Sequence, residues 1–209
     1  MNEKLNPFLS VWLHPKKTAR FVIENKGFPY ALLTVAVSYI GVFCASLIDT
    51  ELYPLLPLWG VLLILLILSP IFGIISNAIY ALIVWPMGKL FNGVGTYQDM
   101  FKALSLIAIP YIILIPFYII WMFTDPLSLF YTDMEGSLVL PIITLLFTVV
   151  VTIWCMVISI GVVAEAHKIP NWQAFLTIVI PTIIFTFLII IAIIVLALII
   201  VAIGAIFGY

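Results

Sequence analysis

Glu165 and His167 are the two side chains whose types could do acid–base or metal chemistry, and they stand two positions apart. Residues at i and i+2 do not share a helix face, which argues against one joint site. A zinc site needs three or four ligands, and the only other histidine is His14. We therefore expect no catalytic residue, no metal and no cofactor. Both side chains are expected to end a helix at the membrane interface, where they could pair with the basic N-terminal segment; a membrane enzyme acting on lipid is the alternative.

The long apolar runs contain no Asp, Glu, Lys, Arg or His, although proton relays and ion-coupled carriers place such residues at membrane depth. Asn77 is the deepest polar side chain, and a helix–helix hydrogen bond from it would contribute about 1 kcal/mol. Pro110 and Pro116 predict kinks in the third run, and a kinked helix can open a cavity. These three residues are the candidate substrate-binding positions of a transporter, with plain helix packing as the alternative that we favour.

The composition excludes several classes of protein. Of 209 residues, 66% are hydrophobic and only 8% are charged, whereas soluble domains carry about 25% charged residues. That excludes an ordinary soluble enzyme and a disordered chain. The net charge of −1 offers no excess positive charge for phosphates, which excludes nucleic acid as a partner. Cys44 and Cys155 lie inside apolar runs and indicate no disulfide framework. The remaining class is a multi-pass membrane protein embedded in the lipid bilayer.

Five charge-free runs are long enough to cross a bilayer core of about 30 Å as helices. Their backbone must be helical because lipid offers no hydrogen-bond partners. We therefore predict an all-α polytopic bundle of five transmembrane helices over residues 29–209, with spans at about 30–48, 58–85, 103–123, 138–164 and 174–203. The last run is predicted as one long helix, bent at Pro181, because no turn residues interrupt it between Thr182 and Ala202.

The basic residues set the orientation. All 8 Lys and Arg residues fall in the N-terminal segment and in the second and fourth loops, on one side of the five spans. Because Lys and Arg concentrate in cytoplasmic loops, we predict a cytoplasmic N-terminus and an extracytoplasmic C-terminus in the cell membrane. The charged stretch before the first span predicts that there is no cleavable signal peptide.

Residues 1–28 are predicted to form a cytoplasmic segment with a short amphipathic helix at the membrane interface. Pro15 suits the first turn of that helix and Gly27 suits the position past its end, and Trp12 would lie at headgroup depth. The segment is either a topology anchor or a docking element for a partner. In the second loop, Thr96 and Asp99 predict a capping box, so the third helix should begin near Tyr97.

Three short motifs coincide with this topology: Asn6-Pro7 followed by Val11-Trp12-x-x-Pro15-x-x-Thr18, then Gly93-x-Gly95-Thr96-Tyr97, then Glu165-x-His167 followed by Trp172-x-Ala174-Phe175. Together they make the chain resemble bacterial members of the Yip family, named after Rab/Ypt-interacting membrane proteins. The Asp-Leu-Tyr-Gly-Pro type motif of the eukaryotic branch is absent, so Rab binding is not carried over.

The resemblance implies a non-enzymatic membrane protein that works through partners, either another integral membrane protein or a second copy of itself. Some bacterial relatives act alongside ABC exporters that protect against antimicrobial peptides. The alternative is a transporter or lipid scramblase for a neutral or amphipathic molecule. The motif positions would form a structural or partner-contacting cytoplasmic surface. With the neighbouring basic residues, the candidate partner-binding set is Trp12, Pro15, Lys16, Lys17, Thr18, Arg20, Gly93, Gly95, Glu165 and His167.

Overall fold

The computed structural model describes residues 5–131 and 139–207, with side chains as far as Val201. The described residues are mostly helical, and we number the α-helices in chain order. They are α1 (Pro7–Ser10), α2 (Pro15–Asn25), α3 (Phe28–Ala45), α4 (Leu58–Lys89), α5 (Tyr97–Leu104), α6 (Ile115–Thr124), α7 (Pro126–Phe130), α8 (Val139–His167) and α9 (Asn171–Phe207), with a 3₁₀ helix at Ile109–Leu114.

The five predicted spans are confirmed. The helices long and apolar enough to cross a membrane are α3, α4, the segment Tyr97–Thr124, α8 and α9. Most of their ends differ from the predicted ones by a few residues: α3 ends three residues early at Ala45, whereas α4 and α8 run past the predicted ends to Lys89 and His167. The predicted first residue of the fourth span, Leu138, lies outside the described residues. The fifth run is one helix, as predicted, and Pro181 lies inside it.

The third span departs from the prediction of one kinked helix. It consists of α5, a short turn, the 3₁₀ helix and α6. Pro110 lies at the start of the 3₁₀ helix and Pro116 in the first turn of α6. A proline lacks the N–H for the helix ladder and clashes with the carbonyl four residues earlier. Pro110 and Pro116 are only six residues apart and disturb successive turns, whereas Pro70 and Pro86, sixteen residues apart, leave α4 continuous.

Neighbouring spans hold the broken segment in place. The Asn77 amide of α4 donates to the Phe101 carbonyl at 3.2 Å. On the other side, a Cβ at Gly41 of α3 would lie 2.2 Å from the Tyr111 carbonyl oxygen. Only glycine therefore lets α3 approach the 3₁₀ helix so closely. The break is a packed element of the bundle and not a loose joint.

The N-terminal helix α2 has the predicted limits and amphipathic character, but its apolar face packs against protein. Thr18, Ala19 and Val22 are fully buried, and α2 contacts α5 and α8. The Lys102 ammonium donates to the Ile23 carbonyl at 3.1 Å. The helix is thereby part of the bundle.

The two ends of the bundle differ in charge. At one end, α2 packs against α5 and α8, and the C-terminal end of α4 meets the end of α8 through Gly88 and His167. We call this the basic end because it carries Lys16, Lys17, Arg20, Lys26, Lys89, Lys102 and Lys168. The opposite end is closed by backbone hydrogen bonds from Asp49 to Leu129 at 3.0 Å and from Glu51 to Phe130 at 3.1 Å.

Candidate functional site

A buried carboxylate fastens α2 to the end of α8. Glu165 is 6% exposed, and Arg20 binds it with both arms: Nε lies 2.8 Å from Oε1 and Nη2 lies 3.1 Å from Oε2. Lys168 Nζ also pairs with Oε1. The Glu165 carboxylate raises the pKa of Arg20 above its ordinary value, first through these hydrogen bonds and then through its charge. A planar guanidinium matches a carboxylate in this two-bond geometry, so the pair ties α2 to the end of α8.

His167 is enclosed by the loop between α4 and α5. Its side chain is 1% exposed. A Cβ at Gly88 would lie 2.2 Å from both Cδ2 and Nε2 of the imidazole, and one at Gly93 would lie 2.5 Å from Nδ1. The Val94 amide donates to the His167 carbonyl at 3.0 Å. Glycine is therefore required at positions 88 and 93 because the His167 ring lies so close, and the α4–α5 loop packs against the end of α8.

The third glycine position, Gly95, contacts backbone on the same helix end. A Cβ there would lie 2.3 Å from the Ala166 carbonyl oxygen. The Trp85 indole donates to the Gly95 carbonyl at 3.1 Å. Beyond Gly95, the predicted capping box is present: the Thr96 hydroxyl accepts from the Asp99 amide and the Asp99 carboxylate accepts from the Thr96 amide.

Glu165 and His167 point to different neighbours, as their spacing predicted. Glu165 pairs with the basic N-terminal helix, whereas His167 lies against the α4–α5 loop. Neither ring nitrogen of His167 meets a hydrogen-bond partner within the described part of the chain. In residues 5–131 and 139–207, no group of three or more His, Cys, Asp or Glu side chains is placed to hold a metal ion. A carboxylate held by two cations and a histidine without access do not form an open acid–base site.

The N-terminal motif joins α1, α2 and α8. The Thr18 hydroxyl donates to the His14 carbonyl at 2.9 Å and lies 2.8 Å from the Ser10 hydroxyl. The Trp12 carbonyl accepts from the Trp154 indole at 3.1 Å. Pro15 packs against Gly161, where a Cβ would lie 3.0 Å from the proline ring. Three of the candidate partner-binding residues, Trp12, Pro15 and Thr18, therefore make contacts within the fold.

Lys16, Lys17 and Arg20 are exposed. They are the candidate partner-binding residues with side chains at the surface of the basic end, and Arg20 already binds Glu165.

The candidate substrate-binding residues lie apart from the basic-end cluster. Asn77 is 4% exposed and its amide is used by the Phe101 carbonyl. Pro110 is buried, and Pro116 is exposed on the outside of α6. The structure thus does not bring the three together around one cavity, and their observed roles are to connect α4 with α5 and to shape the third span.

A groove that the sequence did not indicate lies between the start of α2, the end of α8 and the start of α9. Its volume is about 670 Å³. The lining residues are Leu13, His14, Pro15, Lys16, Lys17, Val157, Ile160, Gly161, Asn171, Trp172 and Phe175. Gly161 and Trp172 are the only hints that the sequence offers, a glycine near a helix end and an aromatic residue at the interface. Their proximity depends on how α2 packs on α8.

Five long apolar helices, with a basic end closed by ion pairs and glycine contacts, define a multi-pass helical membrane protein. Comparison with known families matches residues 9–194 to the Yip1 domain. The chain therefore belongs to the Yip1 family, which confirms the predicted family. No curated protein and no solved structure matches the chain.

Proposed function

We propose that this protein is a non-enzymatic accessory or scaffold subunit that binds another integral membrane protein inside the bilayer, and that α9 makes the contact. The observation that carries the proposal is the exposure of α9. None of its most apolar 18-residue window is buried, whereas 22–50% of the corresponding window is buried in the other four spans. A span that contributes so little to its own bundle has a whole surface available to a second membrane protein.

The path of α9 supports this assignment. Pro181 is buried, and every described side chain from Thr182 to Val201 is exposed. A gap of about 270 Å³ lies between α4 and α9. Its lining residues are Tyr80 and Ile83 of α4 and Ile178, Pro181, Thr182, Phe185, Thr186 and Ile189 of α9. The helix thus leaves the bundle at its proline, where the missing backbone hydrogen bond permits a bend.

The basic end serves this function as a rigid platform. Its motif residues hold α2 and the α4–α5 loop against α8, which fixes the start of α9 through the three residues that connect it to α8. A fixed start gives the exposed helix a defined direction. We place the basic end in the cytoplasm and the protein in the cell membrane, because basic loops stay on the cytoplasmic side.

The partner is proposed to be an integral membrane protein, and an ABC exporter permease is the example that the family resemblance suggests. A second copy of this chain would use the same surface. Transport or lipid scrambling is the alternative function; the hydrogen-bonded Asn77 and the buried Pro110 give it no support.

The test exchanges the exposed part of α9. Residues 183–201 are replaced by an alternating Leu–Ala sequence of equal length, which remains apolar enough to insert. Both forms are crosslinked lightly in native membranes, purified in mild detergent and examined by mass spectrometry. The wild-type chain should recover one membrane protein in stoichiometric amount, and the exchanged chain should lose it while staying monodisperse.

The matched control is a change on a different lipid-facing surface. Leu63, Leu66 and Ile67 of α4 are 60%, 54% and 61% exposed, and their joint replacement by Ala should leave recovery unchanged. Retention of the partner by the exchanged α9 would refute the assigned contact. Recovery of the wild-type chain alone would refute the accessory function and favour the transport alternative, which liposome assays would then test.

A further inference from the structure

The groove at the basic end combines an apolar floor with a positive rim. Val157, Ile160 and Phe175 supply the floor from α8 and α9, while Lys16 and Lys17 line the groove from α2. None of the described lining residues is acidic. Its volume of about 670 Å³ lies within the usual range of small-ligand sites. A ligand that fits must therefore be apolar at one end and anionic at the other.

The position of the groove indicates where such a ligand comes from. The groove lies at the basic ends of two membrane spans, and Val157, Trp172 and Phe175 are 47%, 60% and 39% exposed. Deeper along α8, Val150 and Ile153 are also exposed, at 64% and 60%. The apolar floor thus continues along the helix into the hydrocarbon region, which favours a molecule that already resides in the bilayer.

We propose that this groove binds an anionic phospholipid, with its phosphate at Lys16 and Lys17 and one acyl chain along Val157, Ile160 and Phe175. Basic pockets between membrane helices recognise anionic headgroups. Trp172 contributes an indole suited to the headgroup region, where one side of the ring is apolar and the other wet. This site is independent of the α9 contact proposed above, because it uses the opposite end of that helix.

The bound lipid would join three elements. Lys16 and Lys17 belong to α2, Val157 and Ile160 to α8, and Phe175 to α9. One headgroup and one chain would therefore bridge the N-terminal helix and two membrane spans. The ligand would act on the same elements that Arg20 and Glu165 fasten together.

The experiment uses the full-length protein in phosphatidylcholine nanodiscs. The probe is phosphatidylglycerol with a diazirine on one acyl chain, and a phosphatidylcholine with the same labelled chain is the zwitterionic comparison. After irradiation, the labelled peptides are mapped by mass spectrometry. The anionic probe should label the groove peptides of α8 and α9 and outcompete the zwitterionic probe. Equal labelling by both probes would overturn the proposal.

Two variants test the two halves of the site. Lys16→Gln with Lys17→Gln should weaken binding of the anionic probe roughly 30-fold, while Lys89→Gln, an exposed basic-end lysine outside the groove, should not. Val157→Trp should fill the floor and remove labelling of the groove peptides. Leu82→Trp, at an exposed position of α4 outside the groove, is its control.

If a variant no longer elutes as a monodisperse peak, the comparison of the two probes on the wild-type chain still tests the proposal. Glycerol 3-phosphate should not displace the labelled lipid at equal concentration, because it lacks the chain. Displacement would show recognition of the phosphate alone and overturn the assignment to a lipid, as would labelling that survives Lys16→Gln and Lys17→Gln unchanged.

Discussion

At the scale of single residues, the end of α8 is organised around the His167 ring. Gly88 and Gly93 leave the space that this ring fills, since a Cβ at either position would overlap it. The sequence singled out Gly93, Gly95 and His167 through separate motifs. Gly88 gave no signal, because it looks like any glycine in an apolar run. Contact between residues of α4 and α8 is a tertiary fact that spacing along one helix cannot reveal.

Gly88→Ala should lower the free energy of unfolding by about 1–3 kcal/mol, the usual cost of overpacking a tight core. The measurement is thermal exposure of the buried thiols of Cys44 and Cys155 to a fluorescent maleimide in detergent. Gly60→Ala in the same helix is the control, because its Cβ would meet nothing closer than the Pro57 ring at 3.4 Å.

A double-mutant cycle separates this overlap from a general loss of helix packing. His167→Ala removes the ring, so Gly88→Ala should cost much less in that background, with a coupling of about 0.5–3 kcal/mol. Strictly additive effects would show that the two residues do not meet.

At the scale of elements, the basic end is a set of helices held in register by few polar contacts. The ion pair between Arg20 and Glu165 joins residues 145 positions apart. The sequence suggested that Glu165 and His167 could both pair with the basic segment; this is confirmed for Glu165 and wrong for His167, which lies against Gly88 and Gly93. The sequence could not choose Arg20 among several cations, because that choice depends on the rotation of α2 about its own axis.

Arg20→Met should loosen α2 without unfolding the membrane spans. The exposed guanidinium loses its two hydrogen bonds, and Lys168 alone then holds the carboxylate. Hydrogen–deuterium exchange should rise across peptides covering α2 and stay unchanged in α4. Glu24→Gln, at an exposed position of α2 outside the ion pair, is the matched control, and an equal rise in both variants would contradict the anchoring role.

The third span shows a second limit of what the sequence predicts at the scale of elements. Pro110 and Pro116 predicted a kink, but the segment between Leu104 and Ile115 leaves the α-helical ladder altogether. Such a break is tolerated at membrane depth only where neighbours satisfy the backbone. Gly41 of α3 lets that helix contact the 3₁₀ helix closely, and Asn77 of α4 hydrogen-bonds the Phe101 carbonyl in α5, just before the break.

At the scale of the whole molecule, charge and exposure divide the protein along two directions. Along the membrane normal, one end is basic and the other carries loop acids. Across the membrane plane, α3 to α8 form the packed bundle and α9 stands at its side. The first division is readable from the sequence. The second is only hinted at there: α9 is the most apolar of the five spans, but apolarity does not show which faces of a helix pack against its neighbours.

The proposed orientation predicts opposite labelling of two surface positions in a Cys44→Ala, Cys155→Ala background. A membrane-impermeant maleimide should label Leu55→Cys in intact cells, and Leu13→Cys only after permeabilisation. Both side chains are well exposed, at 81% and 76%. The reverse pattern would invert the proposed topology.

Val94→Cys provides the internal control for that experiment. Val94 is 68% exposed and lies at the same end as Leu13, so the two positions must behave alike. Labelling of Val94→Cys together with Leu55→Cys would contradict the shared basic end itself.

Patterns along the chain were enough to predict the class of protein, the number of spans, the start of α2, the capping box and the family. These follow from local rules: the length of apolar runs, the placement of prolines and glycines, and short motifs. Only the tertiary structure decided which side chains meet: Arg20 with Glu165, His167 with its glycines, α2 with α8 around the groove. Those contacts depend on helix rotation and approach distance, which side-chain packing between distant segments sets and no local pattern encodes.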